Sequence, residues 1–118
     1  MSNYQHWRQA FADMLDPRTH HPEWLDDQVR SGRIKCWATE EAAIIAEIKT
    51  YPTGARELHG LAAVGDMMVI VGELIPQAEK WGRKMECDFA SIASREGWAR
   101  VLAPFGYAVH QVTIRKEL

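Results

Sequence analysis

The sequence predicts an α/β chain built on one mixed, mostly antiparallel twisted sheet with helices on both faces. Three observations point there. Helical periodicity at the start of the chain gives way to alternating segments between Arg33 and Val64. A tight turn joins two of those segments as a hairpin. A strand-helix-strand pattern then closes the chain. At 118 residues, 47% hydrophobic and 25% charged, positions 1–118 have the size and composition of one domain.

Tyr4, Trp7, Phe11, Met14 and Leu15 recur at three- and four-residue steps, one face of a first helix. Asp16-Pro17 ends it, because the residue before a proline is driven out of the helical region. Pro22 suits the first position of a second helix and Glu23 its positive end. Trp24, Leu25 and Val29 give that helix its apolar stripe, and Gly32 a stop. Arg33–Thr39 alternates as a strand, with Ile34, Cys36 and Ala38 on one side. Ala42–Tyr51 and Glu57–Val64 are two more strands, and Pro52-Thr53-Gly54 is the turn between them.

Gly65-Asp66 breaks the third strand. Asp66 can cap a helix running from Met67 to Met85, kinked or split at Pro76. Val69, Ile70 and Val71 leave a rival open, in which Met67–Val71 is another strand and the helix starts near Pro76. Cys87–Ala93 is nearly uncharged and suits a central strand covered on both faces. Ser94 can cap a helix Arg95–Phe105, with Trp98, Val101, Leu102 and Phe105 inward and Gly106 as its end. Tyr107–Arg115 alternates as a last strand. Five tryptophans spread along the chain suggest one common core, in which Trp81, Phe89, Ile92, Trp98 and Leu102 pack together.

Lys plus Arg number 14 and Asp plus Glu 16, a formal charge of -2. A domain that holds nucleic-acid phosphates is normally basic, so no nucleic-acid partner is expected. The longest apolar stretch, Gly60–Pro76, is broken by Asp66 and Glu73 and falls short of the ~20 residues of a membrane span. Met1–Met14 lacks the basic and apolar segments of a secretory signal. No membrane partner is expected, and the cytoplasm is the expected location. Cys36 and Cys87 lie far apart without CxxC spacing and are expected as buried, reduced thiols. His20-His21-x-Glu23 is a polar helix entry rather than a metal site, since adjacent histidines point in different directions.

The order of elements resembles the GNAT acyltransferase fold. The local match is Glu79–Leu118, where Trp81-Gly82-Arg83-Lys84-Met85-Glu86-Cys87 leads into the strand at Asp88–Ala93. Arg95-Glu96-Gly97-Trp98-Ala99-Arg100-Val101-Leu102-Ala103-Pro104-Phe105-Gly106-Tyr107 follows, similar to the GNAT ending in which a helix runs into Gly-Phe or Gly-Tyr. Gly-Trp-x-Arg-x-Leu followed by Gly-Tyr looks more narrowly like short GNAT-like proteins among phage and prophage structural genes. In GNAT enzymes an Arg/Gln-x-x-Gly-x-Gly/Ala loop and a helix N-terminus cradle the CoA pyrophosphate. The matching position here is Ala62-Ala63-Val64-Gly65-Asp66-Met67, with one glycine and an aspartate at the helix start. The position of the family's general-acid tyrosine is Leu102, and that of its helix-start asparagine is Arg95. The resemblance therefore implies the fold with a degenerate cofactor loop at Val64, Gly65, Asp66 and Met67.

Two residues are candidates for catalysis. His59 lies on the third strand; an imidazole titrates near neutral pH and can act as a base, although its ordinary role is that of a half-buried, hydrogen-bonded histidine. Glu47 interrupts an apolar strand and either faces solvent or enters a cleft; the resemblance makes it the best candidate carboxylate. Arg95 near a helix N-terminus calls for a carboxylate partner, Asp88 or Glu86. Arg95 and Arg100 are five apart and do not share one face. Two functions from different classes follow. One is a non-catalytic GNAT-like phage or prophage protein, structural or assembling, with a protein partner or self-association, no cofactor and no metal, in the host cytoplasm or the virion. The other is an acyl-CoA-dependent N-acyltransferase with an atypical cofactor loop, which would use acetyl-CoA.

Overall fold

A computed structural model describes residues 2–94 and 96–118. Helices α1 (Ser2–Met14) and α2 (Pro22–Ser31) precede three strands, β1 (Ile34–Ala38), β2 (Ala42–Thr50) and β3 (Arg56–Gly65). A helical rod follows, made of α3 (Met67–Val69), a wide turn at Ile70–Leu74 and α4 (Ile75–Lys84). Strand β4 (Phe89–Ile92), α5 (Glu96–Leu102) and a 3-10 turn (Ala103–Phe105) complete the order. The sheet runs β1-β2-β3-β4, with two antiparallel pairings and then a parallel one.

The local signals act as expected through much of the chain. Pro22 opens α2, and Gly32 closes it in the left-handed conformation at φ 83°. The Tyr51 carbonyl accepts the Gly54 N–H at 2.8 Å in the β2–β3 turn. At Met67–Val71 the helix prevails over the rival strand, because the Asp66 side chain caps it by accepting the Val69 N–H at 3.1 Å. Pro76 does not end the rod, which continues through it to Lys84. The turn before it widens, so that the Ile75 N–H reaches back to the Ile70 carbonyl, and Pro76 falls in the first turn of α4, where its missing N–H costs little.

Strand alternation sends neighbouring side chains to opposite faces, so the described residues form two apolar clusters rather than one. Tyr4, Phe11, Leu25 and Val29 of α1 and α2 meet Ile34, Ala43, Ile45 and Val64 on one face. Ile70, Leu74 and Ala78 meet Ala42, Ile44, Ala46 and Leu58 on the other. α1 and α2 are tied together by Asp26, which accepts from the Tyr4 hydroxyl at 2.6 Å and from Arg8 Nε at 2.8 Å and Nη2 at 2.9 Å.

Several expectations are corrected. β4 is an edge strand, not a central one, because Tyr107–Arg115 forms no strand beside it. That segment is held elsewhere: the Tyr107 hydroxyl donates to Glu79 of α4 at 2.5 Å, and Arg115 pairs with Asp16 at 3.0 Å. With one side of β4 open, Phe89 is 50% exposed and leans on Tyr51 instead of joining the core. Trp81 packs edge-on against Trp37, and Trp98 is half-buried beside the second cluster, while Leu102 alone of the expected group is fully buried. Phe105 lies in the 3-10 turn and is 59% exposed. Cys36 and Cys87 are free thiols but only half-buried; burial pushes Cys36 up to about 11. No helix of the described residues is long and apolar enough to cross a membrane.

Candidate functional site

β3 and β4 pair only from Glu57 and Phe89 to Gly60 and Ile92. Past that point the pairing stops, and a cleft of about 700 Å³ opens between the strand ends. Leu61–Gly65 and Ala90–Ser94 line it, with Ile70 and Ala78 from the helical rod and with Trp98 and Tyr107. A bulge sets this shape. Ile45 faces Ala62 while Ala46 faces Gly60, so Leu61 is an extra residue on β3 and bends the strand at the cleft wall.

At the end of β3, Gly65 has φ 100°, and a side chain there would collide with the Glu41 carbonyl and the Ala42 backbone. The glycine thus serves the close approach of β3 to the start of β2. The next donors are also committed. The Asp66 N–H goes to the Glu41 carbonyl at 2.9 Å, the Val69 N–H to the Asp66 carboxylate at 3.1 Å, and the Ile70 N–H to the Asp66 carbonyl at 3.0 Å. Among the described residues, only the N–H groups of Met67 and Met68 are left at this helix start, behind side chains 45% and 81% exposed. Val64 turns into the first cluster and is buried.

The structure brings Glu47 and His59 together. They are directly opposed on β2 and β3, and Ser91 faces His59 from β4, which makes one row across three strands. His59 Nδ1 lies 2.8 Å from Ser91 Oγ. The Ser91 hydroxyl donates to Glu57 Oε2, and the Tyr51 hydroxyl donates to Glu57 Oε1. Since the Ser91 proton points to Glu57, His59 Nδ1–H is the donor to Ser91 Oγ, and Nε2 is left as the accepting nitrogen. Burial and the nearby Lys49 ammonium hold His59 below its ordinary pKa, so it is neutral at pH 7. Burial alone would raise the Glu57 carboxyl, but the Ser91 and Tyr51 hydroxyls with His59 and Lys49 outweigh it, and Glu57 sits below its ordinary value. The row adjoins the cleft, with Ser91 the member that lines it. Such a group can accept a proton at Nε2 or anchor a donor.

Sequence reasoning did not single out Glu57, Ser91, Tyr51, Tyr107 or Glu79. Glu57 had a signal, since it stands two residues before His59 and shares its strand face. Ser91 had none, because only the parallel β3–β4 register brings it there. His20 Nδ1 lies 2.8 Å from its neighbour Thr19 Oγ1, and its ring meets Trp24 edge-on, whereas His21 precedes α2. No group of three His, Cys, Asp or Glu side chains that could hold a metal comes together among the described residues. Arg95 lies outside the described residues, and so does its expected pairing with Asp88 or Glu86. Asp88 accepts the Arg56 backbone N–H at 2.9 Å, and Arg100 is exposed.

No family's sequence profile matches the chain, and no curated protein matches it. Solved structures do. An acetyltransferase of Trypanosoma brucei superposes with a TM-score of 0.71 at 14% identity, over 99% of this chain and 94% of that one. A GCN5-related N-acetyltransferase of Ralstonia eutropha gives 0.72 at 18% identity, over 92% and 79%. A Clostridium acetobutylicum protein described as a predicted acetyltransferase, solved with acetyl-CoA, gives 0.67 at 8% identity, over 87% and 76%. The fold is that of the GNAT acetyltransferases, and at these identities the likeness is one of fold.

Proposed function

We propose that this chain is a non-catalytic protein on the GNAT fold, a structural or assembly component of the phage or prophage type with a degenerate acyl-CoA site. One observation carries the reading: at the helix start that would face a pyrophosphate, the Asp66, Val69 and Ile70 N–H groups are already bonded within the chain and the Asp66 carboxylate stands beside them. Asp66 caps the rod and adds a negative charge where a multiply charged diphosphate would lie, and Gly65 is committed to backbone packing against Glu41. The residues present therefore do not fit the diphosphate of CoA, and no step is routed through it. The apolar cleft would accept an uncharged arm, but without the anchor at its end. The phage-type role draws support from the Gly-Trp-x-Arg-x-Leu and Gly-Tyr resemblance of the C-terminal third. It implies a protein partner or self-association, in the host cytoplasm or the virion.

Calorimetry and thermal shift at millimolar acetyl-CoA test this, because a ligand that binds only the native state raises its apparent stability. The wild type should show neither heat nor shift. Micromolar binding by the wild type overturns the reading. A second reading, an acyl-CoA-dependent N-acyltransferase, is favoured by the cleft and by the neutral His59 beside it. Release of free CoA from acetyl-CoA in the presence of a panel of amines would establish it.

A further inference from the structure

We propose that Trp37 and Trp81 form a two-walled aromatic corner that takes the trimethylammonium group of a small molecule, with Lys35 as its resident occupant. Lys35 and Trp37 stand two apart on β1, so alternation puts both on the sheet face that carries the second apolar cluster. Trp81 of α4 meets Trp37 there, with ring centroids 5.4 Å apart and planes 64° apart. The Lys35 ammonium lies over both rings, 5.7 Å from the Trp37 centroid and 5.3 Å from that of Trp81. Both rings are half-buried and Lys35 is exposed, so the corner is reached from solvent. Two indole faces turned toward one point attract a cation, because the ring quadrupole is negative at its face.

The distances favour a methylated nitrogen over the lysine that holds the place. A nitrogen in direct contact with a ring face stands about 3.5–4 Å above it. A methyl group between the two, on a C–N bond of about 1.5 Å, sets the nitrogen back to roughly 5–5.5 Å. The Lys35 nitrogen already stands at 5.3 and 5.7 Å, so the gap toward each ring is about one methyl group deep. Hydration points the same way. A lysine ammonium is strongly hydrated and gives up water to approach the rings, whereas a quaternary nitrogen carries no N–H to desolvate. Among the described residues no carboxylate lies within ion-pair distance of Lys35. Its hold on the corner rests on the cation–π contacts, which are weak at an exposed site. None of the three residues lines the cleft between β3 and β4, so this inference stands whether or not that cleft binds acetyl-CoA.

Choline tests the proposal, titrated at constant ionic strength while the indole N–H resonances of Trp37 and Trp81 are followed by NMR. The wild type should show saturable shifts at those two indoles in the millimolar range. Lys35→Ala removes the resident cation at an exposed position and should tighten choline binding about two- to fivefold, the worth of an exposed cation–π contact. Trp81→Leu in the Lys35→Ala background should abolish it. The uncharged analogue of choline, with carbon in place of the quaternary nitrogen, should not bind. Choline binding by Lys35→Ala that is absent, or no tighter than that of the wild type, overturns the proposal, and this arm decides even if Trp81→Leu does not fold. Equal binding of the uncharged analogue overturns it as well. A peptide carrying trimethyl-lysine that binds more tightly than choline would assign the group to a protein side chain and overturn the small-molecule ligand.

Discussion

His59 and Gly65 show how one backbone position decides what a side chain can do. His59 is neutral because burial and Lys49 oppose its protonation, and its folded pKa lies below the ordinary 6.5. The unfolded chain binds that proton more readily. The stability His59 confers is therefore present above about pH 6.5 and is lost as pH falls through the folded value. Urea titrations at pH 7.5 and 5.5 should show the wild type weaker at the lower pH, with the difference reduced in His59→Gln. An unchanged difference would place its origin elsewhere. The carboxylates held low, Glu57 and Asp26, act in a separate window below about 4.5. Gly65→Ala combines φ 100° with a collision against Glu41, and should cost about 2 kcal/mol or more in the denaturant midpoint.

Among the elements, the cap of the rod and the α1–α2 clasp are the parts most open to test. Asp66→Ala removes a side-chain acceptor at the start of a helix and should cost about 1 kcal/mol. Asp66→Ser keeps an acceptor and should recover most of it, which circular dichroism melts can compare. Asp26→Ala strands the Tyr4 hydroxyl, whose residue is only 2% exposed, and should cost about 1–3 kcal/mol by chemical denaturation. Trp98 is half-buried rather than central. Its truncation to Ala should fall below the ~3–5 kcal/mol typical of a fully buried large aromatic.

Across the whole molecule, β2 and β3 are the interior of the sheet and β1 and β4 its edges. Hydrogen exchange should be slowest at Ala42–Ala46, which are buried throughout, and fastest in the chain after Gly106.

Much of this was legible locally. Alternation placed β1, β2 and β3 within a residue or two, Pro52-Thr53-Gly54 marked the hairpin, and Asp66 marked the start of the rod, because periodicity, turns and caps are properties of neighbouring residues. The candidate pair Glu47 and His59 was legible as two polar residues on apolar strands. Their direct opposition, with Ser91 as the third member, depended on the bulge at Leu61 and on a parallel pairing between residues more than thirty positions apart. The failure at β4 has the same cause. A short uncharged run and an alternating tail each carry the local character of paired strands, but pairing is a relation between distant segments. Only the tertiary structure decided that the tail is held at α4 and at the α1–α2 turn, so that β4 is left an edge.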